Sequence, residues 1–204
     1  VYDAHEYFSQ QKEIISRPRI YRVWHWIEKK YVPRFKTGYT VSQSITDEFR
    51  DLYKTHYNTI RNMPLFRSYA PAPKAEKHIL YQGAVNEARG LESLIPAMKA
   101  VDAKLLIYGE GNFIGQTKAL ISQHGLQDKV ILKGTVTPEE LEKVTSAAYI
   151  GINLVENNGL NQYYSLANTF FNYIQHGIPQ LTMNFPDYTA ITVQCEIAVL
   201  LVAL

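Results

Sequence analysis

The chain has 204 residues, 46% of them apolar and 20% charged, with 21 basic residues against 19 acidic. These proportions belong to a packed protein and exclude a disordered chain, a collagen-like chain and a disulfide scaffold. The near-even charge gives no general affinity for nucleic acid, so no such partner is expected.

Other global features narrow the reading. The only cysteine, Cys195, has no partner in the chain, which fits a reducing compartment. The longest apolar run, Ile197 to Leu204, is eight residues, against roughly 20 for a membrane-spanning helix. No signal peptide is read. The sequence opens inside an apparent strand and closes inside an apolar run, so a fragment is expected.

In chain order, residues 1–4 read as a strand end. Between Pro18 and Tyr31, apolar Ile20, Val23, Trp24, Ile27 and Tyr31 fall at helical spacing. A short strand follows over 37–41, then Ser42 or Ser44 caps a helix to about Tyr57, and 59–61 is another short strand. Residues 1–62 are thus read as part of a first α/β domain. Pro64, Pro71 and Pro73 make 63–77 the best linker candidate.

From residue 78 to 204 the alternation is clear. Strands are expected over 78–82, 103–108, 129–133, 149–155 and 180–183. Helices are expected over 90–100, 113–124, 138–146 and 166–176, with Tyr188 beginning the next crossover. The fold class is therefore α/β, a doubly wound parallel sheet joined to part of a second α/β domain. In such sheets ligands bind outside the carboxyl ends of the strands, so the residues after each strand matter most.

After the first of these strands come Gly83 and Ala84, then Arg89 and Gly90 at a helix start. Unpaired N–H groups and the helix dipole favour an anion there, and a guanidinium can grip a phosphate with two bonds. The alternative is a surface arginine beside an ordinary turn. Gly109, Gly111 and Gly115 follow the second strand at a spacing one residue too long for a dinucleotide fingerprint, and read as a tight turn. Gly134, Thr135 and Val136 follow the third strand as backbone able to face a ligand. Thr137, Pro138 and Glu140 then form a helix start with a capping box. The fourth strand leads into a polar segment, 156–169, in which Ser165 is read as the cap of the next helix. A polar loop feeding a helix start is a sensible phosphate and sugar site. Gly177 and Pro179 stop that helix.

Laid out in order, these segments resemble the retaining glycosyltransferases of the GT-B fold, similar to glycosyltransferase family 4 (group 1). The residues that carry the resemblance are Gly83-Ala84 with Arg89-Gly90, 107–111, 133–136, and Gly177-Ile178-Pro179. Asp3-Ala4-His5-Glu6 resembles a segment of the family's acceptor-binding domain. The resemblance implies transfer of a sugar, with retention, from a nucleotide-diphosphate donor to a glycan or lipid-linked acceptor. Cell-surface glycan or polysaccharide synthesis in the cytoplasm, or at the inner face of the membrane, would be the setting. No metal and no cofactor beyond the donor sugar nucleotide are implied.

The resemblance also implies roles. Arg89 and the backbone N–H groups around 165–168 would stabilise the departing diphosphate, and His5 would reach the cleft from the acceptor side. Gly83, Gly134, Thr135, Val136, Tyr164, Ser165, Leu166, Ala167, Asn168, Thr169 and Asn172 would hold the donor. About a hundred preceding residues, the final strand and the closing helices would lie outside this chain. The chain departs from the family pattern in several places. Tyr164 and Asn172 stand where two glutamates are common, Thr169 where some members have lysine, and Ala84 where a basic residue is usual. Asn172 can accept from a ribose hydroxyl only without charge assistance.

Two other readings share the fold: a nucleotide-sugar epimerase, and a non-catalytic nucleotide-sugar-binding relative, which Asn172 and Thr169 favour. No His-Glu-x-x-His and no Asp-x-Asp at a strand end occurs, so no metal site is expected. The segment from Arg17 to Lys36 holds seven basic residues and one acid, Glu28, interleaved with Trp24, Trp26, Tyr31 and Phe35. A basic amphipathic helix of this kind reads as peripheral membrane contact. The alternative, a core helix of the first domain with a solvated basic face, is favoured because Pro18 and Pro33 bracket an ordinary helix length.

Overall fold

The computed structural model describes residues 1–67, 69, 77–195 and 197–202, with the side chain of Cys195 outside the description. Of the linker reading, residues 68 and 70–76 therefore lie outside the described residues. In chain order the first elements are β1 (Tyr2–Ala4), α1 (Lys12–Ile15), α2 (Pro18–Tyr31), β2 (Gly38–Thr40), α3 (Gln43–Tyr53) and β3 (Asn58–Thr59). Then come β4 (His78–Gln82), α4 (Leu91–Ala97), β5 (Lys104–Tyr108), α5 (Ile114–Gln123), β6 (Val130–Gly134) and α6 (Pro138–Ala147). The last are β7 (Ile150–Asn153), α7 (Leu160–Tyr163), α8 (Asn168–Gln175), β8 (Gln180–Met183), α9 (Pro186–Cys195) and β9 (Ala198–Leu201).

These elements fall into two units. The first comprises Val1–Asn62, Asn157–Leu166 and Phe185–Gln194, and the second Met63–Glu156, Ala167–Asn184 and Cys195–Leu204.

In the first unit β1, β2 and β3 form a parallel sheet in that order. The third strand ends earlier than the expected 59–61. Pro18 sits in the first turn of α2, where its missing N–H costs nothing. Ser42 rather than Ser44 caps α3, accepting from the Ile45 N–H at 3.3 Å. The buried carboxylate of Asp187 accepts from the Gln43 and Ser44 N–H groups at 2.8 and 3.2 Å, a negative charge on the positive end of a helix. The core gathers Ala4, Tyr7, Val32, Ile45, Phe49, Tyr53 and Tyr57. The rings of Tyr7 and Tyr53 meet Phe49 edge-on, at 5.3 and 5.2 Å between centroids.

Glu28 of α2 is buried in this unit, and the hydroxyls of Ser9 and Tyr53 donate to its Oε2, Tyr53 at 2.9 Å. Burial pushes the Glu28 carboxyl above its usual range, outweighing those hydroxyls and the charge of His25. The folded chain thus holds this proton more tightly than the unfolded chain. A carboxyl raised by folding stabilises while protonated, and that contribution is lost as pH rises from about 4.3 through the folded value. Stability should therefore fall over this window, and Glu28→Gln should flatten the decline. Denaturant midpoints across the pH range check it; the same decline in the variant would assign the slope to another group.

In the second unit six strands lie in the order β6-β5-β4-β7-β8-β9, and every neighbouring pair is parallel. The five expected strands are present, as the doubly wound reading requires. The chain builds outward from β4 to β6, returns to lay β7 beside β4, and builds outward again. The junction of β4 and β7 is therefore the switch point of the sheet. The terminal apolar run supplies a strand of its own, β9, paired with β8. It was not among the five expected strands.

Leu80, Leu105 and Ile107 are fully buried, as strands covered on both faces require. The expected helix over 90–100 gives way after Ala97 to a tighter turn at Met98–Ala100, because Pro96 removes an amide from the ladder. Tyr173 of α8 packs with Leu80, Ala148 and Ile178, and its hydroxyl points at the carbonyls of Leu80 and Ile152, 3.1 and 3.4 Å away. A methyl at Gly151 would stand 2.6 Å from the Tyr173 ring, so that ring lies on β7 only because residue 151 has no side chain.

Candidate functional site

The loops after β4, β5 and β6 are joined backbone to backbone. The Gly83 N–H donates to the Tyr108 carbonyl at 3.0 Å, and the Gly109 N–H to the Gly134 carbonyl at 2.8 Å. Val85 N–H reaches the Glu110 carbonyl, and Phe113 N–H returns to the Val85 carbonyl. Asn86 and Asn112 add a reciprocal pair, each side-chain oxygen accepting from the other loop's backbone, at 3.1 and 3.3 Å. A methyl at Gly109 would fall 1.8 Å from the Gly83 carbonyl oxygen, and its φ of 139° is one that L side chains rarely adopt. The segment after β5 is thus a tight turn, and Gly109 and Gly111 serve contact between loops, whereas Gly115 lies inside α5 with open space around it.

At the switch point the turn Ala88-Arg89-Gly90 has left-handed residues on both sides of the arginine, with φ of 64° at Ala88 and 70° at Gly90. An alanine held there is strained, and such strain concentrates at functional sites. The turn is over-determined. The Ala88 N–H donates to the Glu92 carboxylate at 3.3 Å, and the Ala88 carbonyl accepts from the Glu156 N–H, just beyond β7, at 3.1 Å. Arg89 is half-buried and makes no hydrogen bond or ion pair among the described residues. The nearest charge relation is with Tyr81. Burial raises that phenol to about 12, against the opposing pull of the Arg89 cation.

α8 starts later than the expected 166, at Asn168. Ser165 is not its cap, which is a correction. Its hydroxyl donates to the Gln162 carbonyl at 2.7 Å, and Ala167 stands at the cap position with no side-chain acceptor. Thr169 lies at Gly83, its methyl 4.0 Å from where a Gly83 side chain would begin. Glu110 approaches Gly134 in the same way, at 3.4 Å. Gly83, Gly109, Gly134 and Thr169 are thereby brought together at the carboxyl end of the sheet. Thr135 and Val136 continue the chain from Gly134 to the Thr137 cap, whose hydroxyl accepts from the Glu140 N–H at 3.3 Å.

Asn172, the residue at the family's glutamate position, lines a cavity of about 280 Å³ in this unit with Gln82, Pro138, Leu141, Thr145 and His176. It does not enter the apolar core. The His176 Nδ1 lies 2.8 Å from the Asn172 carbonyl, which can only accept, so Nδ1 carries a proton, and the buried Nε2 has no partner among the described residues. Gln82, Asn153 and Thr182 are also buried, each with one polar side-chain atom unpartnered among the described residues, and Asn153 and Thr182 are in register on β7 and β8. None of these three was singled out from the sequence, although a glutamine and an asparagine closing apolar strands were the available signal.

Four expected site residues belong to the first unit. His5 follows β1 and is exposed. Tyr164 packs against that unit's core, and burial pushes its phenol up. Ser165 and Leu166 complete the same segment. Among the described residues no group of three or more His, Cys, Asp or Glu side chains is placed to hold a metal.

Residues 64–157 match the family described as glycosyl transferases group 1. A protein of Methanocaldococcus jannaschii named "uncharacterized glycosyltransferase MJ1607" is 29% identical over 131 residues, which are 53% of this chain and 34% of the relative. Sucrose-phosphate synthase from Thermosynechococcus elongatus superposes with a TM-score of 0.70 at 18% identity, over 88% of this chain and 48% of that one. TarM of S. aureus, solved with UDP, superposes at 0.63 and 14% identity, over 79% of this chain and 32% of that one. The chain thus spans about a third of the curated relative and less than half of these structures. Together these likenesses show the resemblance to group 1 glycosyltransferases with a GT-B-type fold.

Proposed function

We propose, from this chain's similarity to the group 1 glycosyltransferases, that it is part of a retaining glycosyltransferase that takes a nucleotide-diphosphate sugar as donor. The observation that carries the reading is the half-buried Arg89, without a hydrogen bond or ion pair among the described residues, on a strained turn at the switch point of a β6-β5-β4-β7-β8-β9 sheet. A guanidinium held there without a protein carboxylate is suited to a diphosphate. In the transition state negative charge grows on the departing nucleotide diphosphate. Arg89 and the backbone N–H groups around 165–168 would stabilise it, so the proposal needs no metal ion. Gly83 and Gly134 to Val136 offer backbone to the donor, and Asn172 offers its amide oxygen to the ribose. His5 is assigned to the acceptor side, the acceptor being a glycan or a lipid-linked sugar. Cell-surface glycan or polysaccharide synthesis at the cytoplasmic face of a membrane is the proposed setting.

UDP is the probe for the donor site, because TarM was solved with it. Calorimetric titration of UDP into the chain should give saturable binding. Asn172→Glu should tighten it by about 1 kcal/mol or more, since a charged acceptor replaces a neutral one. No UDP binding, or an Asn172→Glu variant that binds no tighter, would remove the ribose role from this position. Product analysis separates the rival chemistries. Transferred sugar with released nucleotide supports the transferase, and an interconverted sugar nucleotide supports an epimerase.

A further inference from the structure

We propose that the outward face of α2 is a docking surface for a membrane that carries anionic lipid. The proposal stands apart from the donor site and rests on the first unit alone.

α2 is a crossover helix between the parallel strands β1 and β2. Its inner face is fixed by Glu28, which is buried and bonded to Ser9 and Tyr53, and by Val32 just beyond its end. The opposite face holds Arg19, Val23, Trp26 and Lys30, at successive steps of four, three and four residues, so they form one stripe. Arg22 and Lys29 flank it and are also exposed. Val23 is 56% exposed and Trp26 55%, unusual values for large apolar side chains on a crossover helix. Lys30 Nζ sits 4.5 Å from the Trp26 ring centroid, so indole and cation stand side by side. Trp24 lies on the other side of the helix, near Glu28, where it is 38% exposed and packs edge-on against Phe8, centroids 4.7 Å apart.

Charge chooses the occupant. Seven of the chain's 21 basic residues but only one of its 19 acidic residues lie in 17–36, so the remainder of the chain is net acidic. The one acid is Glu28, turned inward. None of the seven cations makes an ion pair among the described residues. A convex helix face with indole and valine set among cations has no groove for a peptide. It matches the boundary of a bilayer, where apolar side chains enter the headgroup layer and cations meet lipid phosphates. Among the described residues no helix is long and apolar enough to cross a membrane, and the contact proposed for α2 is one made along its outer face.

The chain's two tryptophans are both on α2, Trp26 on this face and Trp24 against Phe8, so intrinsic tryptophan emission reports this helix, and Trp24→Phe isolates the signal of Trp26. The full chain is mixed with vesicles of phosphatidylglycerol and phosphatidylcholine in equal parts, or of phosphatidylcholine only. The expected result is a blue-shifted emission and co-sedimentation with the anionic vesicles, both reversed by high salt. Arg22→Gln with Lys29→Gln and Lys30→Gln should weaken that binding about fivefold per cation, on the order of a hundredfold together. Trp26→Ser should weaken it about tenfold, read by sedimentation. All four positions are exposed, and circular dichroism verifies that each variant is folded. No sedimentation with anionic vesicles, equal binding to neutral ones, or full binding by the triple variant would overturn the proposal. So would a dimer that Trp26→Ser dissociates while vesicles leave the emission unmoved, since the face would then be a protein interface.

Discussion

Gly109→Ala is expected to lower stability by more than about 4 kcal/mol, or to prevent cooperative folding of the second unit. The added methyl would lie 1.8 Å from the Gly83 carbonyl oxygen, a backbone atom that cannot swing aside. Moving it would break the Gly83 N–H bond to the Tyr108 carbonyl, and with it the register that Gly109 holds through its own N–H to Gly134. The positive φ at residue 109 adds a conformational cost. Gly115→Ala is the control, because nothing lies within 4 Å of a methyl there and it falls inside α5. That change should be neutral or stabilising by up to about 1 kcal/mol. Urea midpoints of both variants decide it. A Gly109→Ala protein as stable as the parent would mean that the post-strand loops are not joined in this way.

The glycine case marks where sequence reading stops. Strand and helix order in the second unit was legible because each buried strand is a short apolar run between turn residues. Parallel pairing then follows from the helices between them. The spacing of Gly109, Gly111 and Gly115 was legible as not a dinucleotide site. It could not reveal that Gly109 serves Gly83, some 26 residues earlier, because that contact exists only once β4 and β5 are paired. The start of α8 was misjudged for a related reason. Serine before an apolar helical pattern is a good cap, but Ser165 spends its hydroxyl on the local Gln162 carbonyl instead. The run ending at Leu204 left β9 unread, since apolar residues without flanking turn signals do not separate strand from helix. Gln82, Asn153 and Thr182 were passed over because burial, which makes a polar side chain conspicuous, is not a property of local sequence.

Arg89→Ala is expected to weaken UDP binding by about 1.5–3 kcal/mol, roughly ten- to more than a hundredfold, while leaving stability within about 0.5 kcal/mol. The two halves of this expectation come from different observations. The large binding effect follows from a guanidinium that is half-buried, without a partner among the described residues, and presented between two left-handed residues at the switch point. The small stability effect follows from what holds the turn. Glu92 and the Glu156 N–H both bond Ala88 rather than the arginine side chain, so the backbone keeps its shape when the guanidinium is removed. Arg89→Lys should recover only part of the affinity, because an ammonium cannot reproduce the two-pronged grip. Calorimetry on the three proteins, with urea midpoints alongside, separates the outcomes. Equal loss of stability and binding would make Arg89 a structural residue of the turn. Unchanged binding would place the diphosphate elsewhere on the sheet edge and remove the residue on which the proposed leaving-group stabilisation depends.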